Sequence, residues 1–441
     1  MKRYCLLLLL FLSINRQTLF AMDQPQSLSV AVQEQQQRRT FAEFALSGER
    51  VEAESAFEAE MGKRVDLSKK GLTNLDGIHE LDLYDQNDTV IPRNELDIVI
   101  VDDNYLREIS PDLIGLGLIA LHAKNNQLTS IPDTIGQIQY FNKLKVSGNT
   151  IRCFPTTLQN LDTFTELTAD DNQMRLFPSG VVQCIHLEKL KLHNNKIREL
   201  PGEIGRLQNL RFLNLRANKL RSLPQQFINL TALQTLDLSK NQLSTLPNNL
   251  QGLTNLQCLY LDDNPLRIFG PQICQLRALK ELDLSNCMLI ILPPQICLLS
   301  RLESLYLANN RLKKLPLEIG NLKKLVLLDL TNNRLKTLPA GLGYCTQLDA
   351  LSIMSNNFDS VETQNSSAAL VRSLVGKNKR LLFNVLKRLL HRDALFYGDP
   401  FNSKYLVFPQ DIIHIFFKNR RLGYVPVDPT SESSLDKLVV Q

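Results

Sequence analysis

Residues able to make or break bonds are scattered through this 441-residue chain. Six histidines (His79, His122, His186, His193, His391 and His414) could serve as bases or metal ligands. They are dispersed, and none forms a spaced ligand pair. No glycine-rich phosphate loop, kinase motif set or nucleophile elbow is present. Seven of the eight cysteines (Cys153, Cys184, Cys258, Cys274, Cys287, Cys297 and Cys345) fall within the body of the chain. They are read as buried free thiols, with Cys274 and Cys297 the one pair whose spacing allows a bridge. We therefore expect no enzyme activity, no cofactor and no metal. The formal net charge of +5 is too modest to argue for nucleic acid.

The chemistry that does recur is recognition. Lys143, Lys145, Lys189, Lys191, His193 and Arg216, with Lys124, occupy equivalent positions in the first half of a periodic stretch. Asp237, Tyr260, Asp262, Asp283, Tyr306 and Asp329, with Asp263 and Glu281, occupy the same positions further on. One half is basic, although Glu166, Asp170 and Asp171 interrupt it; the other is acidic and carries tyrosines. Such a pattern steers partners and sets register, and tyrosine anchors interfaces. The bland alternative is that solvated strand positions are polar in any repeat protein.

These side chains are positioned by one 23-residue pattern written ten times without a gap, from Leu118, Phe141, Phe164, Leu187, Leu210, Leu233, Leu256, Leu279, Leu302 and Leu325. Positions 1, 4, 6, 11 and 14 are apolar, as in Leu210, Leu213, Leu215, Leu220 and Leu223. Positions 3 to 7 alternate apolar and polar, which reads as a short half-buried strand. Position 9 is Asn126, Asn149, Asn172, Asn195, Asn218, Asn241, Asn264, Asn310 or Asn333, and Cys287 in the remaining copy. An inward amide there can satisfy backbone groups of adjacent turns. Position 15 is proline except at Gly270, so the second half of each copy is not a strand but an irregular or single-turn helical return.

The flanks differ. Residues 1–21 read as a signal peptide: Lys2 and Arg3, an apolar run from Leu6 to Ile14, and a small residue, Ala21, at the cleavage site. The chain is thus expected to be exported (secreted, periplasmic or at the cell surface), with a cytoplasmic location as the alternative. Residues 22–61 form a polar linker and a helical N-terminal cap, with one or two short helices after Phe41. Residues 62–363 hold about twelve repeats and one degenerate copy. Residues 364–441 form a helical C-terminal cap and basic tail. Within them, 372–392 carries seven Lys or Arg and no Asp or Glu on an amphipathic helical pattern. That helix either caps the last repeat or contacts a membrane surface or partner.

The pattern resembles the leucine-rich repeat, L-x-x-L-x-L-x-x-N/C-x-L, and within it the 23-residue class, whose returns Ile204-Gly205-Arg206-Leu207 and Ile319-Gly320-Asn321-Leu322 match. That class includes Ras-binding scaffolds and many proteins of host-associated bacteria. The resemblance implies an α/β leucine-rich repeat solenoid, a curved horseshoe with a parallel β-sheet on its concave face. It also implies a scaffold that binds a protein partner there; the chain is expected to be a monomer, and a structural surface protein without a defined partner is a further alternative. Secreted eukaryotic members close their ends with disulfide-bonded caps, which this chain lacks. Bacterial members with a ligase domain carry a cysteine after the repeats, whereas here the last is Cys345.

Overall fold

The structure is a computed structural model that describes residues 53–55, 63–78, 83–84, 90–91 and 96–357. The expected signal peptide, linker, most of the N-terminal cap and the whole region after 357, including the 372–392 helix, lie outside the described residues. The chain divides into two compact units, Met1–Leu233 and Gln234–Gln441.

In the first unit the strands are β1 (Ala53–Ser55), β2 (Lys63–Asp66), β3 (Leu83–Tyr84), β4 (Val90–Ile91), β5 (Leu96–Ile100), β6 (Ala120–His122), β7 (Lys143–Lys145), β8 (Glu166–Thr168), β9 (Lys189–Lys191) and β10 (Phe212–Asn214). From β2 through β5 to β10 they pair in parallel, and β1 lies antiparallel on β2. The sequence points to helix after Phe41, so a strand at Ala53–Ser55 is a correction. Its backbone pairs the edge of β2 that would otherwise be open. The polar excursion after the first degenerate repeat holds a separate antiparallel hairpin, β3 with β4.

The second unit contains β11 (Thr235–Asp237), β12 (Cys258–Tyr260), β13 (Glu281–Asp283), β14 (Ser304–Tyr306), β15 (Leu327–Asp329) and β16 (Ala350–Ser352). All are parallel, and residues 23 apart face one another, as Leu282 faces Leu305 and Leu305 faces Leu328. The fold is a leucine-rich repeat solenoid.

The returns follow from position 15. The proline there is extended, with φ near −68° and ψ near 152° at Pro201, and a five-residue 3-10 turn follows at Gly202–Arg206. The turn closes on its own third residue, as Leu207 N–H donates to Ile204 O. The same geometry recurs at Gln225–Asn229, Leu317–Asn321 and Ala340–Tyr344. Successive returns pack backbone to backbone: a Cβ added at Gly320 would stand 2.2 Å from Gly341 O. Only glycine allows that approach.

Strand leucines and return residues fill the interior. Leu190, Leu213, Leu215, Leu220, Ile204 and Leu210 are fully buried, and the Phe141 and Phe164 rings stack 6.1 Å apart. One repeat cannot bury such a face alone; stacking makes the core continuous.

The position-9 asparagines tie successive turns together. Asn195 Oδ1 accepts Met174 N–H at 3.1 Å, while its Nδ2 donates to Ala169 O at 3.0 Å, Leu192 O at 3.1 Å and His193 O at 3.2 Å. Asn126, Asn149, Asn172, Asn218, Asn264, Asn310 and Asn333 repeat this arrangement. Asn241 is buried in the same position and donates to Leu238 O and Ser239 O. Asn104 and Asn356 extend the series at either end.

Cys287 marks where the rule bends. Its thiol donates to Leu261 O at 3.2 Å but supplies no strong acceptor for the turn before it. Leu266 N–H turns instead to Asn264 O, and Arg267, at φ +59°, donates to Cys287 O. Pro265 compounds the change, because elsewhere this position donates its N–H to the previous turn, as Lys219 does to Ile197 O.

Candidate functional site

The candidate surface is the outward face of the strands, described for each unit separately. Strand positions 3, 5 and 7 are not fully exposed: Lys143, Lys145, Lys189, Lys191, His193 and Arg216 are half-buried among their neighbours. Parallel pairing at 23-residue register builds lateral rows about 4.8 Å apart. One row runs Lys143, Glu166, Lys189, Phe212, and the next runs His122, Lys145, Thr168, Lys191.

The carboxylates that interrupt the basic stretch sit in direct contact with it. Glu166 Oε1 lies 3.0 Å from Lys189 Nζ, and Thr168 Oγ1 also approaches it. Burial works against the Glu166 charge, but Lys189 and Lys145 outweigh it and hold the carboxyl below its ordinary range. His193 Nδ1 is 2.8 Å from Asp170 Oδ1, and its Nε2 is 3.5 Å from Asp171 Oδ2. Lys191 Nζ lies over the Phe212 ring, 5.6 Å from its centroid. Lys189 and His193 are therefore internally engaged, and Phe212 is a face residue that charge patterning alone did not reveal.

The basic character shows in the titrations. Burial and then the charges of Lys145 and Lys124 push His122 down to about 4. Burial, with Lys124, Lys143 and Lys189, lowers Lys145 despite Glu166.

In the second unit, one row alternates Asp237, Tyr260, Asp283, Tyr306, Asp329 and Ser352. Each aspartate is oriented by its own chain: Asp237, Asp283 and Asp329 Oδ1 accept the N–H of Ser239, Ser285 and Thr331 at 3.0, 2.8 and 2.9 Å. No Lys or Arg occupies positions 3, 5 or 7 from Thr235 to Met354. Burial and the charges of Asp263 and Asp329 raise the Asp283 carboxyl against the pull of Ser285. Burial, then Cys258 and Glu281, raises the Tyr260 hydroxyl, and burial with Glu281 raises Tyr306.

Position 8 differs from its neighbours. Asn125, Asp171, Asn194, Ala217, Lys240, Asp263, Asn286, Asn309 and Asn332 all have φ between 50° and 56°. After glycine, which Gly148 supplies in one copy, Asn and Asp tolerate this left-handed backbone best, so Asp171 and Asp263 answer first to the turn and only then to the face. Their side chains form a second, exposed ladder, with Asn194 Nδ2 donating to Asp171 Oδ1 at 2.6 Å and Asn332 Nδ2 to Asn309 Oδ1 at 2.8 Å.

All seven described cysteines are free thiols, Cys274 and Cys297 included. Burial pushes Cys184, Cys274 and Cys287 up to about 12 and Cys345 up to about 11. Among the described residues, no His, Cys, Asp and Glu gather in a metal-binding group, and no helix is long and apolar enough to cross a membrane.

Family models for a "Leucine-rich repeat region" and for the "Leucine rich repeat" match residues 200–270, 278–299 and 300–358. No curated protein matches the chain. Among solved structures, a leucine-rich repeat protein of Leptospira interrogans is 29% identical, over 71% of this chain and 94% of that one, with a TM-score of 0.56. An internalin of Listeria monocytogenes is 19% identical, over 70% and 84% of the two chains, with a TM-score of 0.58. A TDR receptor is 25% identical, over 60% and 48%, with a TM-score of 0.55.

Proposed function

The chain is a leucine-rich repeat protein, and on that premise we propose that it is an exported, non-enzymatic scaffold that docks a protein partner on its strand faces. Leucine-rich repeats commonly mediate protein–protein interaction. The observation that carries the reading is the division of charge. Lys143, Lys145, Lys191 and Arg216 give the first unit a basic face, and the second unit's face has carboxylates and tyrosines with no cation at the outward strand positions. Bare solvation would be served by evenly mixed charge; a basic excess on one face, interrupted by Glu166 and Asp170, and an acidic row on the other select a complementary partner and accelerate encounter. Half-buried Tyr260, Tyr306 and Phe212 supply anchors at low entropic cost.

The pairing of Lys189 with Glu166 decides the choice of probe. Reversing Lys189 would place two carboxylates together and disturb the sheet itself, so Lys191→Glu/Arg216→Glu and Asp283→Lys/Asp329→Lys are the informative variants. Captured partners that bind the wild type and are lost from either face variant, with unchanged circular dichroism, support the scaffold reading. Equal capture by all three refutes it. Export is tested by the N-terminus of the mature chain, which should begin after Ala21. The charge of residues 372–392 favours a second reading, a membrane-surface contact, which predicts sedimentation with anionic vesicles that salt abolishes.

A further inference from the structure

The second unit carries a groove of about 470 Å³ that lies off the strand face, where each turn leaves its strand. It is lined by the left-handed position-8 residues Asn286, Asn309 and Asn332 and by Arg311 and Arg334 from position 10, with Met288 the one apolar side chain. No Asp or Glu lines it. Arg311 and Arg334 occupy equivalent places on adjacent turns, so their guanidinium forks repeat at roughly the 4.8 Å strand spacing. Lys313 and Lys336 follow them on the same exposed edge, across buried Leu312 and Leu335, and Lys314 adds a fifth cation. Among the described residues, none of these five joins an ion pair, and residues 304–317 and 330–348 contain no carboxylate.

We propose that this groove binds an acidic, sulfated oligosaccharide. Unpaired arginine and lysine at a fixed repeat match a polymer bearing anionic groups at intervals, and the planar fork of arginine suits oxyanions. The asparagine amides present a donor and an acceptor each, which match the hydroxyls of sugars. A peptide would call for apolar pockets to hold its side chains, and this groove offers only Met288. Single-stranded nucleic acid would call for aromatic stacking surfaces, and none lines it.

The test uses the full chain and a fully sulfated heparin-derived hexasaccharide, titrated by calorimetry at two salt concentrations. Neutral cellohexaose and hexaglutamate serve as the other arms. Arg311→Gln/Arg334→Gln, both exposed, should raise the dissociation constant at least tenfold and flatten its salt dependence. Asn309→Gly/Asn332→Gly keeps the left-handed backbone while removing the amides, and it should weaken binding with the salt dependence intact. A control, Arg301→Gln/Lys324→Gln, removes two exposed cations of the second unit that do not line the groove and should leave the constant within twofold. Absence of binding overturns the proposal. So does equal weakening by the control and the groove variant, which would indicate attraction to net charge. Hexaglutamate binding as tightly as the hexasaccharide would replace the sugar with an acidic peptide and likewise refute it.

Discussion

Removing one amide from the inner ladder should cost more than any single side chain on the surface. Asn195 is 6% exposed and bonds to two turns of the chain, its own and the one before. Asn195→Ala would orphan Met174 N–H and leave Ala169 O and Leu192 O without their side-chain donor. A buried polar group left unmade costs about 1–3 kcal/mol, and these carbonyls keep part of their bonding, so the total should be about 2–4 kcal/mol. Asn195→Cys restores a weak thiol donor, as Cys287 does toward Leu261 O, but no strong acceptor, so it should recover only ~1 kcal/mol of the loss. The neighbouring Asn194→Ala is the control. Its side chain is exposed and its φ of 50° is matched by Ala217 at 53°, so it should cost ~1 kcal/mol. Urea denaturation gives the three differences, and native-state hydrogen exchange at Met174 reads the orphaned amide directly. Equal destabilisation by Asn194→Ala and Asn195→Ala, or unchanged protection at Met174, would refute the reasoning.

Other consequences concern packing and titration. Gly320→Ala forces a Cβ to within 2.2 Å of Gly341 O, so the turns must separate; a loss of about 1–3 kcal/mol should appear in the same denaturation assay. His122 is held near 4 in the folded chain, below its unfolded value. Its contribution is therefore complete above about pH 6.5 and lost as pH falls toward about 4. Asp102, Asp170 and Asp283, raised mainly by burial, act in the opposite sense. The readout is thus the difference between wild type and His122→Gln, which should shrink across that window as the wild type loses its advantage. Cys153 is exposed whereas Cys184, Cys287 and Cys345 are buried with raised thiols, so iodoacetamide at pH 8 should label Cys153 and spare those three until urea is added.

The phase of the fold was readable because a 23-residue spacing leaves no freedom in it. Once Leu213 and Leu215 point inward, Phe212, Asn214 and Arg216 must point out, and every neighbouring strand follows in register. The ladder amides and the prolines that end each strand were legible for the same reason. Less legible was why position 8 is so often Asn or Asp. Asp171 and Asp263 look like binding charges in the sequence, but their position is set by a left-handed backbone. The contact between Glu166 and Lys189 follows from the register, yet reading each repeat by itself hides it. The strand at Ala53–Ser55 carried no periodic signal, since an edge strand needs backbone pairing rather than a buried stripe. The groove around Arg311 and Arg334 arises from stacking of adjacent turns, so only a comparison of position 10 across copies would have pointed to it.

The most direct test of docking on the strand faces is a covalent footprint of the chain with and without its captured partner. Lysine acetylation and carboxyl amidation, read by mass spectrometry, report each surface separately. Docking on the strand faces predicts protection of Lys143, Lys145 and Lys191 or of Asp283 and Asp329, with Lys323 and Lys324 on the return side labelled equally in both samples. Protection of Lys323 and Lys324 with the strand-face residues unchanged would contradict it.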